Sequence, residues 1–165
     1  MRKRLIMPEI LVALLLPALV MLLSACGAQE SQLPPPAEMF AAIQAEVELP
    51  EMIDTTETDL EPLIGIEMDD CQSAVCYRLK DGIAPDEIII VQAKDNDAAK
   101  KILTLLENRL EYKRKSAQLY LTENQPMLQA GTVRQDGLTV SLIVSEKSEE
   151  VVRVFEALSK NYTFS

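Results

Sequence analysis

Glu87-Ile88-Ile89-Ile90-Val91-Gln92-Ala93 is the stretch from which the rest of the chain can be read. Successive side chains of a strand point to opposite faces, so an unbroken β-branched run is apolar on both sides. That pattern predicts the central, most buried strand of a sheet. Just upstream, residues 74–80 alternate, with Val75, Tyr77 and Leu79 on one side and Ala74, Cys76 and Arg78 on the other. This is the signature of a half-buried strand. Asp81-Gly82 and Pro85 supply the turn between the two strands.

Downstream, Asp95, Asn96 and Asp97 offer a cap and negative charge at a helix start. Ala98, Ile102, Leu105, Leu106, Leu110, Ala117, Tyr120 and Leu121 then draw one apolar face, interrupted by Arg109 and Lys113. This long helix is expected to end before Pro126. Residues 132–134 and 138–144 flank Gln135-Asp136-Gly137, and the Asp-Gly pair suits the positive φ angles of a tight hairpin. Ser145 caps a final helix, with Glu146, Glu149 and Glu150 early and Val151, Val154, Phe155 and Leu158 on its buried side.

Ahead of the sheet, Met39, Phe40, Ile43 and Val47 recur at helical spacing from about residue 37, until Pro50 ends the helix. Thr58 or Asp59 caps a short helical turn that Gly65 stops. The order is a leading helix and then strand-strand-helix twice. It predicts an α+β fold: a two-layer sandwich with a mainly antiparallel sheet of about four strands and helices on one face.

The N-terminus has a different character. Arg2, Lys3 and Arg4 precede an apolar run over residues 10–23, and Leu23-Ser24-Ala25-Cys26 closes it. This is the layout of a secretory signal peptide, and the last four residues resemble a bacterial lipobox. That resemblance implies a diacylglyceryl group on the Cys26 sulfur and cleavage just before it. The reading gives residues 1–25 as lipoprotein signal, 26–36 as lipidated cysteine and Pro-rich linker, and 37–165 as one domain. A retained membrane span and an ordinary cleaved signal are the alternatives. The run is short of the roughly 20 residues of a span, and Pro17 lies inside it. Two or more acyl chains on Cys26 would make a long-lived anchor. The expected address is the extracytoplasmic face of the cell membrane.

The 165 residues carry 16 Lys and Arg against 26 Asp and Glu. Losing Arg2, Lys3, Arg4 and Glu9 with the signal takes the net charge from −10 to −12. So acidic a domain is repelled by nucleic acid and anionic headgroups through bulk charge, leaving an envelope protein or polymer as the expected partner. There is no histidine, which removes the commonest general base and metal ligand near neutral pH. No Gly-rich phosphate loop, nucleophile elbow or metal-ligand spacing appears, and no cofactor is implied.

Cys71 and Cys76 remain once Cys26 is assigned to lipid. On one straight strand, five steps would hold them about 16 Å apart, whereas a disulfide needs Cα atoms within about 7 Å. A bridge therefore requires a turn between them; paired structural thiols are the alternative.

Glu87 opens the central strand and Arg109 sits near the apolar face of the following helix. Packing that helix on the strand brings them together, either as an anion-binding or catalytic site or as an ion pair fixing helix to sheet. Arg109, Lys113, Arg114 and Lys115 form a basic cluster in an acidic chain. Docking on an acidic partner and a solvated face paired with Glu107 and Glu111 are the two readings of it.

Gly65-Ile66, the segment from Pro85 to Asp95, Arg109 with Tyr120 beyond it, and the Gly137 hairpin together resemble the domain of unknown function 4358 family. The resemblance runs from about Phe40 to Phe155. Ile64 stands where an aromatic often precedes the Gly-Ile pair, and Leu121-Thr122 replaces a common proline-containing step. The family comprises small bacterial lipoproteins, largely from Gram-positive lineages, without an established biochemical role. The resemblance therefore implies a fold and an address but no activity. The leading functional expectation is a membrane-tethered, non-catalytic binding or interaction module. A solute-binding lipoprotein with a small pocket between sheet and long helix is second. An enzyme, with Glu87, Arg109 and Tyr120 converging in a pocket, is third.

Overall fold

The computed structural model describes residues 33–80, 85–120 and 122–162, with side chains at 119, 120, 122, 161 and 162 excepted. Helix α1 (Pro36–Glu46) leads into a short strand β1 (Met52–Asp54). A single helical turn, α2 (Thr56–Asp59), and a π-type turn (Leu60–Ile64) follow. A 3-10 turn (Met68–Asp70) precedes β2 (Cys71–Leu79) and β3 (Glu87–Ala93). The long helix α3 (Asn96–Tyr120), a 3-10 turn (Thr122–Asn124) and α4 (Gln125–Ala130) come next. The hairpin β4 (Thr132–Asp136) and β5 (Thr139–Val144) and a last helix, α5 (Ser148–Tyr162), complete the described chain.

The fold is α+β, as expected, and its five strands run β1-β2-β3-β5-β4 with every neighbouring pair antiparallel. The fifth strand is β1, whose three residues are too few to show alternation in sequence. The run from Glu87 to Ala93 is indeed the central strand. Val75, Cys76 and Tyr77 of β2 stand opposite Ile90, Ile89 and Ile88, while Ile143, Leu142 and Val140 of β5 stand opposite Ile88, Ile89 and Val91.

The layering differs from the two-layer expectation, because helices cover both faces. On one face Ile89, Val91, Val140, Leu142 and Val144 pack under Ile102, Leu106 and Leu110 of α3, with Leu60, Ile64 and Ile66 beside them. On the other face Val75, Ile88, Ile90 and Ile143 lie under Met39, Phe40 and Ile43 of α1 and Val151, Val154 and Phe155 of α5. The cause is the isoleucine run itself. Ile88 to Val91 are all fully buried, and at about 1.5–3 kcal/mol per side chain neither face could be left to water. Phe40 also stacks on Tyr77, with ring centroids 3.6 Å apart.

The starts of α3 and α5 follow the expected chemistry, whereas α1 ends at Glu46, short of Pro50, and neither Thr58, inside α2, nor Asp59 caps the turn before Gly65 with its side chain. Asp95 Oδ1 accepts from the backbone N–H groups of Asp97 and Ala98 at 3.0 and 2.8 Å, capping α3. Ser148 Oγ donates to the Ser145 carbonyl at 2.6 Å and accepts from the Ser145 N–H at 3.0 Å, so the two serines cap α5 together. Gly65, with φ of 83°, ends the π-type turn in the left-handed region that a side chain would strain. α3 ends at Tyr120 and Pro126 opens α4 in its first turn, so the proline starts a helix as well as marking the end of one.

Candidate functional site

Strand alternation splits two adjacent carboxylates. Glu87 faces α3, and Asp86, one residue earlier, faces the start of α5. Their surroundings are consequently different.

Glu87 is fully buried, and Arg109 grips it at both oxygens: Nε donates to Oε2 at 3.2 Å and Nη2 to Oε1 at 2.9 Å. Lys113, one helical turn further, lies 3.3 Å from Glu87 Oε2 and donates to the Pro85 carbonyl at 2.9 Å. Burial opposes the charge on Arg109, but its hydrogen bonds to Glu87 and the carboxylate's field prevail and raise its pKa. For Lys113 burial wins and lowers the pKa, despite Glu87. Cys76 belongs to the same core face, and burial pushes its thiol up to about 12. The expected pairing of Glu87 with Arg109 is therefore present, with Lys113 as a third member. Lys113 sits four residues after Arg109, on the same helix face, and that spacing was the signal for it. Tyr120 is the last residue of α3, and its side chain lies outside the described residues.

The basic cluster is largely consumed inside the molecule. Arg114 donates through Nε to the Leu128 carbonyl at 2.9 Å and through Nη2 to the carbonyls of Gln129 and Gly131 at 3.3 and 3.0 Å. It thus closes the C-terminal end of α4. Gly131 completes that turn, since a Cβ there would meet Leu110, Val144 and the Leu128 carbonyl at 3.1 Å each. Only Lys115, 3.2 Å from Glu111, behaves as a solvated helix pair. Lys94 is likewise engaged: it and Lys101 each lie 2.8 Å from an Asp70 oxygen and hold its carboxyl below the ordinary range.

Cys71 and Cys76 are both free thiols. The anticipated alternative of a bridge fails because β2 runs through both positions without a turn. A bulge between Cys71 and Ser73 brings the two onto one face without shortening the strand between them.

None of the larger depressions described next is lined by Glu87, Arg109 or Lys113. An open groove runs instead around the start of α5, at one end of the sheet. One part, of about 500 Å³, lies between Leu49-Pro50, Leu79, Asp86, Met127 and Glu146. A second, of about 430 Å³, continues between α4 and the first turns of α5, sharing Asn124, Met127 and residues 145–147. A third, of about 200 Å³, extends past Glu150 and Arg153 toward Glu46 at the end of α1. Between sheet and long helix, the position expected for a pocket, Arg109 and Lys113 pack against Glu87. The groove was not legible in sequence, because its walls come from segments far apart in the chain.

Asp86 is 5% exposed where it lines this groove. Burial raises its pKa and the neighbouring Glu146 adds to the effect, against a hydrogen bond from Ser145.

A family model for a domain of unknown function, DUF4358, matches residues 45–145. The chain belongs to that family. The DUF4358 span contains Asp86, Glu87, Arg109, Lys113 and the whole sheet, and stops before α5. One wall of the groove, from Lys147 to Arg153, lies beyond the matched DUF4358 segment. No curated protein and no solved structure matches the chain.

Proposed function

We propose that this DUF4358 protein is a lipid-anchored, extracytoplasmic interaction module that binds a partner through the groove around the start of α5 and performs no catalysis. The observation carrying the reading is a contrast between two sites. The chemically strongest constellation, Glu87 with Arg109 and Lys113, is saturated by its own members. The groove, by contrast, is open and joins polar to apolar walls, as ligand sites do. The anchor half rests on Leu23-Ser24-Ala25-Cys26. Among the described residues no helix is long and apolar enough to cross a membrane, which is compatible with attachment through lipid.

Two measurements test this. Cys26→Ala is expected to abolish palmitate incorporation and sedimentation with membranes; unchanged labelling defeats the anchor. Co-purification of the full chain from detergent-solubilised membranes is expected to recover a stoichiometric partner, and recovery of none defeats the module. A solute-binding reading draws on the same groove, whose main part falls within the size range of small-molecule sites.

A further inference from the structure

The groove has a charge that narrows its occupant. Glu46, Glu48, Asp86, Glu123 and Glu146 line it from five separate segments, and Glu149 and Glu150 stand on α5 at its edge. Opposing them are Lys147 and Arg153, and Lys147 is held 3.3 Å from Glu150. The first-turn acids of α5 have a local role against the helix dipole. Glu46, Glu48, Asp86 and Glu123 have none there, since they belong to the end of α1, the α1–β1 connection, the approach to β3 and the α3–α4 connection. The floor between the acids is apolar, formed by Leu49, Pro50, Leu79 and Met127. The three depressions adjoin one another, so the surface suits an elongated occupant.

We infer that the groove receives a basic, extended peptide segment of a partner protein, with its Lys or Arg side chains toward the glutamates and its apolar side chains on Met127 and Leu79. This rests on the interaction-module reading and specifies its partner. Alternation of charge and apolar surface along an extended chain is what such walls complement, and opposite potentials across an interface speed encounter and fix register. The strongly acidic chain as a whole repels anionic partners in the same way.

The test uses the full-length chain in detergent micelles and a capped Lys-Leu-Lys-Leu-Lys pentapeptide, with a Glu-Leu-Glu-Leu-Glu peptide as the opposite-charge control. The basic peptide is expected to bind and the acidic one not. A Glu48→Gln/Glu146→Gln variant is expected to weaken binding about fivefold, in keeping with two exposed charge pairs. Glu57→Gln/Glu107→Gln, at exposed positions outside the groove, is expected to change it little. Equal losses in the two variants would mean diffuse attraction to an acidic protein and would overturn the inference. Equally tight binding of hexane-1,6-diamine would make the occupant a small organic cation and overturn the peptide assignment. A membrane partner recovered undiminished by the Glu48→Gln/Glu146→Gln chain would sink the basic-segment inference and leave the module standing; no partner from either chain would sink the module itself.

Discussion

The guanidinium of Arg109 meets the carboxylate of Glu87 in a two-point contact, at 2.9 and 3.2 Å, between the middle of the long helix and the first residue of the central strand. Glu87 is wholly buried and the Arg109 side chain is only 15% exposed. The pair therefore acts as a fixed pin between two layers, and its members depend on each other.

Removing the charge of Glu87 would leave Arg109 and Lys113 buried without their counter-ion. Glu87→Gln is expected to cost about 3–5 kcal/mol, the range for breaking a buried ion pair from one side. A double variant, Glu87→Gln/Arg109→Met, should recover part of that loss, because one stranded charge goes with its partner. Urea midpoints of the three chains check this; a double variant no more stable than the single one would contradict the pairing.

Asp86 predicts a pH dependence of opposite sense to an ordinary surface carboxylate. Burial raises its folded-state pKa above the usual 3.8, so the folded chain holds that proton more tightly than the unfolded chain. Its contribution to stability is greatest when protonated and falls as pH climbs from about 3.8 through the folded value. Asp86→Asn removes this decline. The difference in stability between Asp86→Asn and the parent should shift in favour of the variant as pH rises across that interval. Denaturation midpoints between about pH 4 and 7 would show it, and a flat difference would refute the assignment.

Thiol reactivity should separate the two strand cysteines. Cys76 is fully buried and burial pushes its pKa up to about 12, while Cys71 is partly exposed and its pKa is raised, mainly by burial. Little of Cys76 is thiolate at mildly alkaline pH, and the thiolate is the reactive form. In a Cys26→Ala chain, a thiol reagent should modify Cys71 first and reach Cys76 only on unfolding. Simultaneous modification of both would show that β2 opens far more readily than its packing implies.

Ser141 carries an unusual cost. It stands in β5 opposite Ile90, fully buried, and its Oγ has no hydrogen-bond partner among the described residues. Ser141→Ala deletes that hydroxyl and little else. Stability is expected to rise by about 1 kcal/mol, at the low end of the cost of a buried unsatisfied group. A loss of similar size would mean the hydroxyl has a partner after all.

Much of this architecture could be read from spacing. The isoleucine run and the caps at Asp95 and Ser145 are local signals that lie where expected. The hairpin is also present, but it turns at Gly137-Leu138, with Asp136 still paired in β4 and Gly137 alone of the Asp-Gly pair at positive φ. The meeting of Glu87 with Arg109 followed from period-two and period-3.6 patterns taken together. The second helical layer shows only when strand and helix patterns are taken together. Ile88 and Ile90 demanded a second cover, and the stripe of Met39, Phe40 and Ile43 was already there to provide it. β1 and the groove left no comparable trace: one is too short for a pattern, and the other arises only when remote segments meet.

The cover supplied by α1 has a mechanical side. Leu33, just ahead of this helix, is buried against the same layer as Met39 and Ile43. Any pull delivered through the N-terminal segment would therefore enter the domain at α1 rather than along a strand. In a stretching experiment the helix should peel away at low force, baring Ile88 and Ile90, before the five paired strands yield together.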